Sequence, residues 1–279
     1  MKVALFCAAI VAILAVTASG LDDDWGTAIA FYVSRSGDYV VVAADSRGLH
    51  KGGRKTDHDC KLIALGKDTV FSVAGSYSIS VKNGESWDAN QVARRAYRDS
   101  SKGSDIRSWS QSWGKQAVRW FHRLQQDQLD AFPRILVSGG FLTSRNSVPT
   151  VHLEQVVRSK DGITSEPSDR GGLGTGGADG IGAPLVAEFY RQATPRARAA
   201  TAGIRFAPGG VDPNSDAELV GRAVQFAIDN ATGTAKDMLG GPVDIAIVRA
   251  AGIQWIKRKS ECYRLDEAAT ETRHYTTTK

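Results

Sequence analysis

The chain has 279 residues, a formal charge of +5 and 8% aromatic residues. Its lysines and arginines are spread along the chain rather than gathered into a basic face with aromatic platforms, which argues against nucleic-acid binding. After the N-terminal region there is no apolar run of membrane length and no long Pro- or Ser-rich linker, so one sizeable globular domain is expected.

Lys2 is followed by an apolar run over residues 3–16 and by small residues at Val16-Thr17-Ala18 and Ala18-Ser19-Gly20. This is the pattern of a secretory signal peptide, assigned to residues 1–20. The run is shorter than the roughly 20 residues a spanning helix needs. Cleavage and secretion are therefore expected, with no membrane attachment afterwards. Residues 21–26 form a short acidic propeptide, and its removal with the signal leaves the domain more basic. Cys7 departs with the signal, leaving Cys60 and Cys262, for which one bridge and two buried thiols both fit. Asn230-Ala231-Thr232 is a glycosylation triplet.

The domain proper is placed at residues 27–259. Residues 28–34 and 38–44 read as strands of a hairpin, with a turn at residues 35–37. A polar, glycine-containing loop over residues 48–58 follows. Residues 60–65 and 69–74 make a second hairpin around Gly66-Lys67-Asp68. Helices are predicted over residues 88–99 and 104–132, the second carrying Ile106, Trp109, Trp113, Phe121 and Leu124 at three- and four-residue steps and stopped by Pro133. Aromatics at that spacing read as a core face against a sheet. Strands are expected at residues 135–139 and 150–158, with a further segment after Lys160-Asp161-Gly162. The glycine-rich stretch 171–177 leads into a helix over residues 184–192, with Pro184 in its first turn. Ser215-Asp216-Ala217-Glu218 is a capping-box pattern opening a helix through Asn230. Residues 243–249 and 253–258 close the domain as a hairpin, and residues 260–279 read as a loose polar tail. Strand blocks alternating with helix pairs imply an α+β layered architecture of antiparallel sheets covered by helices.

The chemistry concentrates between Gly26 and Gly75. Thr is common in strands, but Thr27 follows a Gly, and a cut between them would place a hydroxyl beside a free α-amine. Such a residue is nucleophile and base in one. Asp45 and Lys61 stand at strand ends from which both reach one point. A buried ammonium there lowers the cost of forming an alkoxide, and a carboxylate holds that ammonium oriented. Arg47 is placed to support Asp45. Gly75 lets a backbone N–H approach a reacting carbonyl, with Val73 lining an apolar pocket. Thr175, between two glycines, offers a further hydroxyl, and Asp237 an anchor for the new terminus.

In residues, G-T-A-I-A-F at 26–31, V-V-V-A-A-D-S-R at 40–47, Lys61, A-G at 74–75, G-T-G at 174–176, K-D at 236–237 and V-D-I-A-I-V at 243–248 resemble the proteasome β-subunit family of N-terminal nucleophile hydrolases. The resemblance covers nearly the whole mature chain. It implies a four-layer αββα sandwich of two antiparallel sheets flanked by helices. It also implies a self-processed threonine-type endopeptidase, a zymogen cut at Gly26–Thr27. Thr27 would be the nucleophile, Asp45 and Lys61 its charge partners, Gly75 the oxyanion donor, and Thr175 and Asp237 supporting groups. Four departures stand out. The first hairpin is two residues longer than usual, Ala28 replaces a second Thr, G-T-G replaces G-S-G, and Gly240 stands where active members have a Ser.

Gly172-Leu173-Gly174-Thr175-Gly176-Gly177 fits a dinucleotide fingerprint but lacks the apolar strand that must precede it. His58-Asp59-Cys60 lacks metal-ligand spacing, and the other histidines are scattered. Neither a cofactor nor a metal is expected. The expected partner is a peptide or protein substrate, with the chain acting alone or as a homo-oligomer. The competing expectation, favoured by Gly240, is a catalytically inactive proteasome-like binding or assembly module.

Overall fold

A computed structural model describes residues 27–34, 36–50, 54–80, 86–99, 105–124, 129, 132, 134–167, 178–182, 186, 189, 212–263 and 266. The first half contains β1 (Ala28–Val33), β2 (Tyr39–Ala44), β3 (Gly48–His50), β4 (Arg54–Thr56), β5 (Leu62–Gly66), β6 (Thr69–Gly75), β7 (Ser78–Ser80) and β8 (Ser86–Asp88). Two helices follow, α1 (Ala89–Asp99) and α2 (Ile106–Phe121). The second half contains β9 (Ile135–Thr143), β10 (Thr150–Ser159), β11 (Gly162–Pro167), β12 (Ala178–Gly182), α3 (Pro213–Asn230), α4 (Gly233–Met238), β13 (Asp244–Arg249) and β14 (Gly252–Lys257).

The protein is a mixed α/β structure whose described strands pair antiparallel throughout. Sheet I has the order β12-β1-β2-β13-β14, and sheet II the order β11-β10-β9-β6-β5. Two short ribbons, β3-β4 and β7-β8, stand apart from them. Strand β2 is buried at every position, and this explains why Y-V-V-V-A-A reads as a continuous apolar run rather than an alternating one. Alternate residues serve opposite faces. Val40, Val42 and Ala44 join Ile29, Phe31 and Val33 against Leu62, Val70, Ala74, Leu142 and Leu153 of sheet II. Tyr39, Val41 and Ala43 face instead a cluster with Val220, Ala223, Val224 and Ala227 of α3.

The aromatic stripe of α2 is a core face, as its spacing implies. Trp109, Trp113 and Phe121 pack with Phe71, Phe141, Trp87 and α1 residues such as Ala93 on the other side of sheet II. Trp113 is fully buried and donates its indole N–H to the Ala89 carbonyl at 3.2 Å. A buried ring of this size accounts for about 3–5 kcal/mol when truncated. In the same layer Glu154 of β10 is buried, hydrogen-bonded to Ser165, and approached by Ser110 of α2 at 3.4 Å. Gly114 lets α2 sit this close, since a Cβ there would lie 2.0 Å from the Ser165 hydroxyl oxygen. Burial pushes the Glu154 carboxyl up.

Four expectations change. Helix α2 ends at Phe121, although Leu124 in the bend beyond it still reaches its core, and Leu129, helical again, reaches it too. Helix α3 starts at Pro213 and is capped by Asp212, whose carboxylate accepts the Asn214 N–H at 3.1 Å, rather than by Ser215. Proline suits that first helical position because its missing N–H would have had no partner there. The 48–58 loop contains the β3-β4 ribbon. The start of the supposed loose tail is tied down: Cys262 is buried and bridged to Cys60, with Cα atoms 5.7 Å apart. The signal, the propeptide and the glycine-rich stretch 171–177 lie outside the described residues, as does most of the helix expected over 184–192.

Candidate active site

Strand β1 begins one residue after Thr27 and runs between β12 and β2 in sheet I. Because Ile29 pairs with Ala44, the chain leaving β2 passes directly beside Thr27 and Ala28. Asp45 is the first residue out, and its N–H donates to the Ala28 carbonyl at 3.1 Å. Lys61 approaches from sheet II, immediately before β5, with its carbonyl accepting the Val73 N–H at 3.0 Å. The ends of the two sheets converge on one carboxylate. Asp45 Oδ1 accepts the Lys61 ammonium at 2.9 Å and the Ala28 N–H at 2.9 Å. Asp45 Oδ2 accepts the N–H groups of Arg47 and Gly240, each at 3.3 Å. Thr27, Asp45 and Lys61 are 2%, 0% and 1% exposed.

Taking charges out of water is costly, and it drives buried acids and bases toward their neutral forms. Burial accordingly pushes the Asp45 carboxyl up and the Lys61 ammonium down, while each charge pulls the other back. The two backbone N–H groups nearest Asp45 in the pull-back, from Ala28 and Gly240, also favour its carboxylate form. The result is a paired acid and base beside the residue that precedes Ala28, with each of these four contacts to the acid supplied by a donor.

Arg47 supports Asp45 through its backbone. Its guanidinium turns away to grip Asp57, with Nε 2.7 Å from Oδ1 and Nη2 3.1 Å from Oδ2, and donates to the Leu239 carbonyl at 3.0 Å. This pairing holds the Asp57 carboxyl below the usual carboxylate range. Gly240 lies under that guanidinium. Its φ is +150°, and a Cβ there would stand 2.5 Å from Arg47 Cζ. Its carbonyl accepts the N–H groups of Ser46 and Arg47 at 3.1 and 3.0 Å. The glycine therefore serves the Asp45 loop from both its N–H and its carbonyl, and the space a side chain would need is filled.

Gly75 closes β6 opposite Val137 with φ +87°, and a Cβ would meet the Leu136 carbonyl oxygen at 3.0 Å. It lies two residues beyond Val73, which is bonded to Lys61. Val73 itself is fully buried in the core shared with α1 and α2. Asp237, on α4, is not drawn into the buried group: its carboxylate is 67% exposed and pairs with Lys55 at 2.6 Å. Thr175 lies outside the described residues. Asp57 was not singled out by the sequence, where it is one charge in a polar loop; only folding shows it as the partner of Arg47. Asp244, Arg258 and Lys259 form a second buried ionic group nearby, with Lys259 Nζ 2.6 Å from Asp244 Oδ2.

No protein-family model matches the chain, and no curated protein matches it.

Proposed function

We propose that the chain is a secreted threonine-type peptidase or amidase of the N-terminal nucleophile class, similar to proteasome β-subunits. It is made as a precursor and freed by cutting Gly26–Thr27. One observation carries this reading: a single buried oxygen, Asp45 Oδ1, accepts both the Lys61 ammonium and the N–H of the residue after Thr27. Asp45 and Lys61 thus meet at one point, beside the residue that follows Thr27. The apolar cores on both faces of each five-stranded sheet support a four-layer αββα arrangement for the same class. A disulfide between Cys60 and Cys262 fits an oxidising, secretory location.

In the proposed reaction the Thr27 α-amine, with an ordinary pKa of about 8, removes the proton from Oγ. Oγ attacks the carbonyl carbon of a peptide or amide. The Lys61 ammonium, held by Asp45, stabilises the developing negative charge on the nucleophile, and the Gly75 N–H receives the oxyanion. The amine returns the proton to the leaving nitrogen, and the C–N bond breaks to leave an ester on Thr27. Water then hydrolyses that ester, releasing the acid and restoring the hydroxyl.

Gly240 favours a second reading, an inactive binding or assembly module, because the hydroxyl expected there from the resemblance is absent and Arg47 takes its room. N-terminal sequencing of the secreted protein separates the two. The hydrolase reading expects a chain beginning at Thr27, retained in Thr27→Ser and lost in Thr27→Ala. Folded material that keeps residues 21–26 would refute it.

A further inference from the structure

Lys61 is gripped on both sides by residues that follow β14. Its predecessor, Cys60, is bridged to Cys262. The carbonyl of its successor, Leu62, accepts Arg258 Nη1 at 2.8 Å. Arg258 is enclosed, with a side-chain exposure of 0%, and its guanidinium carbon stacks 3.8 Å from the centre of the Trp255 ring. Its second terminal nitrogen donates to the Cys262 carbonyl at 3.2 Å and to Asp266 at 2.8 Å. Asp266 in turn accepts the Ala64 N–H at 2.9 Å, so a further β5 residue is held by the same group.

The next residue ties the segment to the other side of the site. Lys259 bonds Asp244 through its ammonium at 2.6 Å and through its N–H at 3.0 Å. Asp244 stands opposite Ala44 in the β2–β13 register, one residue before Asp45. Arg258, Lys259, Cys262 and Asp266 therefore fasten both the strand that follows Lys61 and β13, the neighbour of the strand that leads to Asp45. Burying a guanidinium is costly unless its geometry is well satisfied, so such groups serve better to fix an arrangement than to add stability. Here two of the anchors bracket a single residue.

We infer that Arg258 is a positioning residue for Lys61, and that its bond to Leu62 and the Cys60–Cys262 bridge form a two-point clamp holding the Lys61 ammonium against Asp45. This rests on the reading of Thr27 as nucleophile. The charged groups acting on Lys61 include Asp45, Asp59, Lys259 and Asp57; Arg258 acts through the backbone instead. A loosened Lys61 gains water and moves back up toward an ordinary lysine, so the basic limb of the rate–pH profile moves to higher pH.

The test uses the full chain with Arg258→Met, Arg258→Lys and the Cys60→Ser/Cys262→Ser pair. Two readouts are taken: peptide hydrolysis against pH, and acetylation of Lys61 by an N-hydroxysuccinimide ester mapped by mass spectrometry. The clamp predicts that Arg258→Met and the double variant lose tenfold or more in kcat with KM unchanged, shift the basic limb upward, and expose Lys61 to acetylation. Arg258→Lys, which keeps a donor for Leu62, recovers part of each. Wild-type levels of Lys61 protection and an unmoved limb in folded Arg258→Met would overturn it. Should wild type prove inert, the Thr27 reading alone fails, because the acetylation pattern still decides the clamp. Should Arg258→Met not fold, Arg258→Lys and the double variant decide on the same two readouts.

Discussion

Replacing Gly240 by Ser sets two accounts of the site against each other. By family resemblance the change supplies a missing hydroxyl; by the structure it damages the loop that holds Asp45. The backbone at φ +150° is a conformation for glycine, and a side chain there costs about 1–3 kcal/mol. The new Cβ would also stand 2.8 Å from both terminal nitrogens of Arg47, so the guanidinium must move. Displacing it gives up the Asp57 pair, whose side chains are 25% and 41% exposed and which is therefore worth no more than about 1 kcal/mol. It also gives up the bond to the Leu239 carbonyl, worth about 1 kcal/mol. The whole is about 3–5 kcal/mol, a loss of a hundredfold or more in the folding equilibrium. In an Arg47→Ala background the collision disappears and about 1–3 kcal/mol of backbone strain remains. Urea unfolding followed by tryptophan fluorescence on the four chains of this cycle measures the coupling directly. Equal costs of Gly240→Ser in both backgrounds, or a Gly240→Ser chain more active and no less stable than wild type, would refute the reasoning.

Lys61→Met strands the Asp45 carboxylate in the interior, at about 3–5 kcal/mol by urea unfolding, and abolishes cleavage at Gly26–Thr27. Since burial already pushes Asp45 up, the deficit should be smallest below the ordinary carboxylate pKa of about 3.9 and grow as pH rises through the raised value; a deficit independent of pH would count against it. Glu154 follows the same sign: its raised carboxyl gives wild type its fullest contribution below about 4.3, lost as pH climbs. Glu154→Gln has no such proton to lose, so its Tm relative to wild type should improve steadily with pH, and parallel Tm–pH curves would contradict the assignment. Trp113→Ala should cost about 3–5 kcal/mol in a thermal or urea melt; a loss below about 1 kcal/mol would mean α2 is not held by that ring.

Much of the fold was legible because its strands are long, apolar and hairpin-linked. Strands β1, β2, β13 and β14 fall within a residue or so of where their apolar runs and turns place them. Strand β12 was not legible: Ala178-Asp179-Gly180-Ile181-Gly182 has no strand composition, and it extends by pairing with the edge of β1. Helix α2 was overdrawn because a hydrophobic period marks what is buried, not what is helical: Leu124 is buried in a bend just past its end. At the site, Asp45 and Lys61 were readable from spacing, since each sits at the end of a recognisable strand. Arg47 was read as a support for Asp45 and is one through its backbone N–H, but nothing local foretold that its guanidinium would turn to Asp57 instead. Asp57 and Arg258 carried no signal; their partners are fixed by loop closure and by the second sheet.

The central claim is that Thr27 is a freed nucleophile activated by Lys61. Its most direct test is to treat the mature secreted chain with a β-lactone, which acylates a nucleophilic hydroxyl, and to locate the added mass by peptide mapping. The account predicts one adduct, on a peptide beginning at Thr27, formed in wild type and absent from Thr27→Ala and Lys61→Met. A folded chain that takes no adduct at residue 27, or takes it equally in Lys61→Met, would contradict it.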